Sequence, residues 1–166
     1  MDPIDALLDE IRRSVHGGAW HGPALGEALA DASAAEAAAR PLPGVHSIGE
    51  IALHAAGWME EVAHRLAGGA PALPARGDWP AGPEDEVGWE RARGAVEAAH
   101  AALAAVLRDF PPGRLEEPVG GVEGHDPPLG TGLPYAAMLH GVAQHNAYHA
   151  GQVILLKQAL RAGLQP

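Results

Sequence analysis

The chain has 166 residues, of which 47% are hydrophobic but only 4% aromatic, and it contains no cysteine. This length suffices for one domain, expected over residues 1–166, and a core of short apolar side chains favours packed helices. The formal charge of −10, from 21 acidic and 11 basic residues, argues against a nucleic-acid or anionic-membrane partner. Without cysteine, any metal ion would be held by histidine and carboxylate groups.

The N-terminal residues lack the basic and apolar regions of a secretory signal, and no apolar run reaches the roughly 18 residues of a membrane span. A soluble cytoplasmic protein is therefore expected.

The first part of the chain predicts two helical segments. Asp2 followed by Pro3 is typical of an N-cap and a first helical residue, and Gly17 ends this helix. After a turn at residues 20–23, the alanine-rich run over residues 24–39 predicts one further helical segment.

The next helix has a clear start. Ser47 with Glu50 three residues later has the form of a capping box. Apolar residues then recur at spacings of four and three, as in a helix of a bundle. These residues are Ile48, Ala52, Ala55, Met59, Val62 and Leu66.

A heptad pattern follows a Pro/Gly-rich connection over residues 70–83. Glu84, Asp85 and Glu86 are expected in the first turn of this helix, where carboxylates interact favourably with the helix dipole. The main apolar positions are Trp89, Val96, Leu103 and Phe110, and Pro111 ends the helix.

A long loop over residues 113–132 precedes the last helix, which is predicted from Pro134 to Ala162. A loop of this length in a small domain is usually functional or mobile, and the roles of its acidic residues Glu123 and Asp126 stay open. Four long helical patterns, without a convincing strand or a repeat, predict an all-α four-helix bundle with long Gly/Pro-rich loops.

Two histidines in the last helix carry the main functional signal. His145 and His149 are four residues apart, about one turn and roughly 6 Å along a helix axis, so one metal ion can contact both. In a heptad pattern they fall in the apolar rows of Met138 and Val142, which places them in the seam of the helix. The pattern leaves two interpretations open, a ligand pair or two hydrogen-bonded core histidines.

A third ligand would come from another helix, and periodicity does not settle which residue supplies it. His54 lies in the middle of the second long helix, about 100° from the centre of its apolar stripe. From the pattern alone, a half-exposed histidine beside Trp58 is the simpler interpretation.

Three segments together resemble the DinB-like (DinB/YfiT-like) superfamily. They are residues 20–23 (WHGP), residues 47–58 (SIGEIALHAAGW) and the motif His145-x-x-x-His149-x-Gly151-Gln152. The resemblance covers nearly the whole chain, and the last motif is its most specific part.

The resemblance implies a four-helix bundle of the up-down-down-up type and a divalent metal ion, zinc or nickel, held by His54, His145 and His149. Three imidazoles leave a coordination position open, as in catalytic zinc sites. A metal ion there lowers the pKa of bound water towards about 7 or activates a thiolate.

The function implied is that of a metal-dependent enzyme acting on a small molecule. It would be either an S-transferase with a low-molecular-weight thiol as co-substrate or a hydrolase. A homodimer is also compatible with the family. Because no general base is evident beside the three histidines, the alternative is a non-catalytic metal-binding protein of stress response or interaction.

Six neighbouring residues are candidates for roles around the metal: Gln152, Glu50, Trp58, Tyr148, Asn146 and His21. Glu50 is one turn before His54 and could orient its ring, although the capping box explains it better. Gln152 is a better candidate than Asn146 for holding a ligand ring, because it lies in the predicted seam.

Trp58 and Tyr148 have two open interpretations, as pocket walls or as core residues. His21 could belong to a loop that folds over the mouth of the site.

Overall fold

The computed structural model describes residues 2–121 and 129–163. The regular secondary structure of these residues is all helical, as predicted, and includes no strand. The helices are α1 (Pro3–His16), α2 (Leu25–Ala30), α3 (Ala34–Ala38), α4 (Ile48–Leu66), α5 (Glu86–Arg108) and α6 (Tyr135–Arg161), with a 3₁₀ turn at Pro112–Arg114.

The core lies among the four long helices. Helix α4 packs along α5, and α6 packs against α1, α4 and the short helix α2. Each long helix contributes nearly fully buried side chains to one apolar cluster, for example Ile11, Met59, Leu103 and Leu139. No helix in the described part of the chain is long and apolar enough to cross a membrane.

The predicted helix starts are confirmed by their hydrogen bonds. Asp2 Oδ1 accepts the Ile4 N–H at 2.8 Å at the start of α1. At the start of α4, Ser47 Oγ accepts the Glu50 N–H at 3.2 Å, and the Glu50 carboxylate accepts the Ser47 N–H at 2.8 Å. Such caps satisfy donors that the helix leaves unpaired, and each stabilises it by about 1 kcal/mol.

The single helix predicted over residues 24–39 is wrong, because the structure has two short helices there. Ser33 has an extended backbone, with φ −74° and ψ 162°, and starts α3 with a capping box of its own. Its Oγ accepts the Glu36 N–H at 3.2 Å, and the Glu36 carboxylate accepts the Ser33 N–H at 2.8 Å. The Ser-x-x-Glu spacing was a readable signal for this break.

Helix α5 begins later than predicted. Asp85 caps it, with Oδ1 accepting the Gly88 N–H at 2.7 Å, so Glu84 precedes the helix and only Glu86 lies in the first turn. The predicted heptad residues from Trp89 to Phe110 are buried.

The long loop before α6 is tied to the start of that helix. In the first turn of α6, the Tyr135 N–H donates to the Glu117 carbonyl at 3.0 Å, and the Ala136 N–H donates to the Leu115 carbonyl at 2.9 Å. Glu123 and Asp126 lie outside the described residues.

The seam of α6 differs from the prediction. Leu139, Asn146 and Val153 are fully buried, whereas His145 is only half-buried and His149 is buried. The buried face is wider than a heptad seam, and one of its rows lies one residue after the predicted row of Met138 and His145. The reason is that α6 packs against α1 and α2 as well as α4.

Candidate metal centre

The side chains of three histidines converge between the middle of α4 and the middle of α6. His145 Nε2 is 3.0 Å from His54 Nε2 and 3.0 Å from His149 Nε2. Two nitrogens that each lie about 2.05 Å from a tetrahedral metal are about 3.3 Å apart. The cluster therefore fits one divalent ion, and it is the only such group of three found among the described residues.

Hydrogen bonds set the tautomers of two of these rings. His54 Nδ1 is 2.6 Å from the backbone carbonyl oxygen of Asp78, and His149 Nδ1 is 2.6 Å from Gln152 Oε1. Since both oxygens are acceptors, Nδ1 carries the proton in each ring, and the Nε2 lone pair is free to bind a metal.

His145 has a different environment. Its Nδ1 is buried and has no hydrogen-bond partner within the described part of the chain, while its Nε2 faces the other two Nε2 atoms. Nitrogen lone pairs that face one another repel unless a proton or a metal ion lies between them. A neutral His145 can supply that proton from its own Nε2, or the three Nε2 atoms can bind one metal ion, so the arrangement is compatible with a metal site.

The three rings are neutral at pH 7. Burial, together with the neighbouring His149 and His54, lowers the pKa of His145 to about 3. Burial also lowers the pKa of His149 to about 4, against the opposing hydrogen bond to Gln152. The pKa of His54 is lowered by burial as well, although its hydrogen bond to Asp78 opposes this. Neutral imidazole is the form that binds a metal ion.

The loop between α4 and α5 covers the ligand from α4. The Trp79 indole stacks on the His54 ring at 3.8 Å, with an angle of 3° between the planes, and its other face stacks on His46 at 3.6 Å. Asp78 Oδ1 accepts the Trp58 indole N–H at 2.8 Å and lies 3.3 Å from His54 Nδ1. Sequence reasoning missed Asp78 and Trp79, whose only signal was a charged residue and an aromatic residue side by side in a Pro/Gly-rich loop.

Comparison with known proteins now decides the family. The family model described as the DinB superfamily matches residues 20–153, which include all three histidines. The chain belongs to the DinB superfamily. Neither the search of curated proteins nor the search of solved structures gave a match.

In this DinB-superfamily chain, two of the six candidate neighbours, Glu50 and Asn146, form hydrogen bonds with residues other than the three histidines. The Glu50 carboxylate caps Ser47 and pairs with Arg40, and no hydrogen bond joins it to His54 in the described structure. Asn146 Nδ2 donates to Ser14 Oγ on α1 at 3.1 Å, inside the core. Gln152, by contrast, contacts His149 directly.

Of the remaining three candidates, Trp58 and Tyr148 lie near the three histidines and His21 does not. Trp58 lines a cavity together with His54 and His145. Tyr148 is exposed, and its ring centroid is 5.1 Å from that of His149. His21 is exposed and lines a separate cavity that contacts none of the three histidines, so the structure does not place it over the site.

Two cavities flank the three histidines of this DinB-superfamily chain. One, of about 360 Å³, contacts His149 and Gln152 and is called the apolar cavity below. The other, of about 460 Å³, contacts His54 and His145 and includes Gly130 from the long loop and Leu133, which follows it. The site therefore has space for small molecules on either side.

Proposed function

We propose that this chain is a metal-dependent enzyme of the DinB superfamily that acts on a small molecule. His54, His145 and His149 hold one divalent metal ion, zinc or nickel. The observation that carries the proposal is the convergence of three neutral imidazoles, with Nε2 atoms 3.0 Å apart in two of the pairs.

Three histidines leave one tetrahedral position for a substrate, since no fourth ligand joins them in the described residues. When bound, such a metal ion supplies Lewis acidity towards water or a thiol. The protein itself keeps the rings of His54 and His149 in the binding tautomer through Asp78 and Gln152. The reaction is one of two kinds: a thiol-dependent S-transfer that uses a low-molecular-weight thiol, or a hydrolysis. Both reactions suit an open site between two cavities.

A non-catalytic metal-binding role, in stress response or interaction, is the second candidate. The observation in its favour is that the nearest described carboxylate, Asp78, already accepts the Trp58 N–H and faces His54 Nδ1, on the side away from Nε2. If the metal-loaded protein shows no turnover with thiols and electrophiles or with ester and amide substrates, this second role is favoured.

Further family expectations belong to the same proposal. They are an up-down-down-up order of the four long helices, one domain over residues 1–166, a cytoplasmic location and a homodimer. One apolar cluster shared by α1, α4, α5 and α6 supports the single domain. Light scattering after gel filtration tests the dimer.

The test of the metal centre is metal analysis of protein prepared without an affinity tag. About one zinc or nickel ion per chain is expected for wild type, and below about a tenth of that for His54→Ala. His140→Ala is the matched control, because His140 is an exposed histidine of α6 that pairs with Glu10. A wild-type chain that retains no stoichiometric metal after reconstitution would contradict the proposal.

A further inference from the structure

The apolar cavity collects exposed apolar side chains. Eight large hydrophobic residues are exposed in the described part of the chain, and four of them line this cavity: Leu42, Trp79, Tyr148 and Leu155. Single exposed apolar side chains are ordinary, but a contiguous group around a concavity is typical of a binding site.

No permanently charged side chain of the described residues lines this cavity. No Asp, Glu, Lys or Arg lines it, although the chain has 21 acidic and 11 basic residues. The cavity on the other side of the histidines, by contrast, is lined by both Arg65 and Asp78. Since a charged group is costly to move from water into uncharged surroundings, we expect the metal-free apolar cavity to favour uncharged ligands.

The cavity also adjoins the metal centre. One wall is His149, whose Nε2 lies 3.0 Å from His145 Nε2, and another is Trp79, which stacks on His54. Its volume of about 360 Å³ is within the range of small-molecule sites. The exposed Tyr148 ring and the edge of the Trp79 indole, whose two faces stack on His46 and His54, are the aromatic surfaces against which an aromatic ligand can pack.

We propose that the apolar cavity binds an uncharged small molecule with an aromatic group, and that this is the substrate side of the metal centre. Calling the ligand a substrate rests on the proposed function, whereas the binding itself does not. The polar side chains that line the cavity and can orient the ligand are those of Gln152, Tyr148, His46 and His149.

The experiment is a fluorescence titration with N-phenyl-1-naphthylamine, an uncharged aromatic probe, on zinc-loaded and metal-free protein. Three exposed leucines provide matched variants. Leu155, 65% exposed, lines the apolar cavity; Leu133, 48% exposed, lines the other cavity; and Leu73, 56% exposed, lines neither. Because all three are exposed, replacement by glutamate should leave the fold intact, which circular dichroism checks.

We expect saturable binding of the probe by wild type, weakened at least about tenfold by Leu155→Glu and changed less than about twofold by Leu133→Glu or Leu73→Glu. On metal-free protein, the anionic 8-anilino-1-naphthalenesulfonate, which is the same ring system with one sulfonate added, should bind at least about tenfold more weakly than the neutral probe. The proposal is overturned if the neutral probe does not bind, if Leu133→Glu weakens binding as much as Leu155→Glu, or if the anion binds equally well.

The two proposals fail separately. Protein that binds the probe but retains no metal would contradict the proposed function and support the apolar site. Protein that retains zinc through the three histidines but does not bind the probe would contradict only the apolar site.

Discussion

Replacing Gln152 with alanine is expected to weaken metal binding without unfolding the chain. Gln152 Oε1 accepts the Nδ1–H of His149 at 2.6 Å, and the His149 ring is buried. Without this acceptor the ring can carry its proton on Nε2, and metal binding must then reverse that tautomer and reorient the ring. Partners of ligand histidines typically contribute 10- to 100-fold in affinity, so the expected loss is about 1.4–2.7 kcal/mol.

The assay is a zinc titration in competition with a chromophoric chelator. Gln152→Glu should keep most of the affinity, because a carboxylate also accepts the Nδ1–H. Gln158→Ala, an exposed glutamine of the same helix, should match wild type. The reasoning is refuted if Gln152→Ala binds zinc within twofold of wild type, or if Gln152→Glu is as weak as Gln152→Ala.

Three further predictions concern stability. Arg65→Met should lower the free energy of unfolding, measured in urea, by about 3–5 kcal/mol, because it leaves the buried Glu61 carboxylate without the guanidinium 2.8 Å away. The exposed control Arg12→Met should lower it by less than about 1 kcal/mol. Equal losses for the two variants would contradict this prediction. Burial, with neighbouring positive groups, lowers the pKa of His100 from 6.5 to about 4. Because the unfolded chain binds more protons than the folded chain in this range, the free energy of unfolding should fall as pH drops from about 6.5 to about 4. His100→Gln should make this fall less steep, measured on chelator-treated protein. An unchanged slope would exclude His100 as its source. Ser33→Ala should cost about 1 kcal/mol by removing the N-cap of α3, measured by thermal unfolding, and no loss would show that the capping box is not needed.

Much of the helical structure was predictable because its signals are local. The start of α4 depends on Ser47 and Glu50, three residues apart, and the shared face of His145 and His149 depends only on helix geometry. The signal for the break before α3 is equally local, since it lies at Ser33. It was missed because the alanine-rich sequence on both sides of Ser33 is typical of one continuous helix.

The position of the buried face of α6 was not predictable from periodicity. A heptad pattern assumes one narrow seam, whereas α6 packs against three other helices, and its buried face therefore widens to include Asn146. Only the packing of those helices distinguishes the fully buried Asn146 from the half-buried His145.

By itself, then, the sequence determined where most helices begin and which two histidines of α6 share a face, because these features depend on residues within one or two turns. The tertiary structure decided that His54, 91 residues before His145, points at the same place, as the family resemblance implied. It also decided that Asp78 and Trp79 hold and cover that ring. An irregular loop has no periodicity, so its contacts arise only when α4 and α5 pack together.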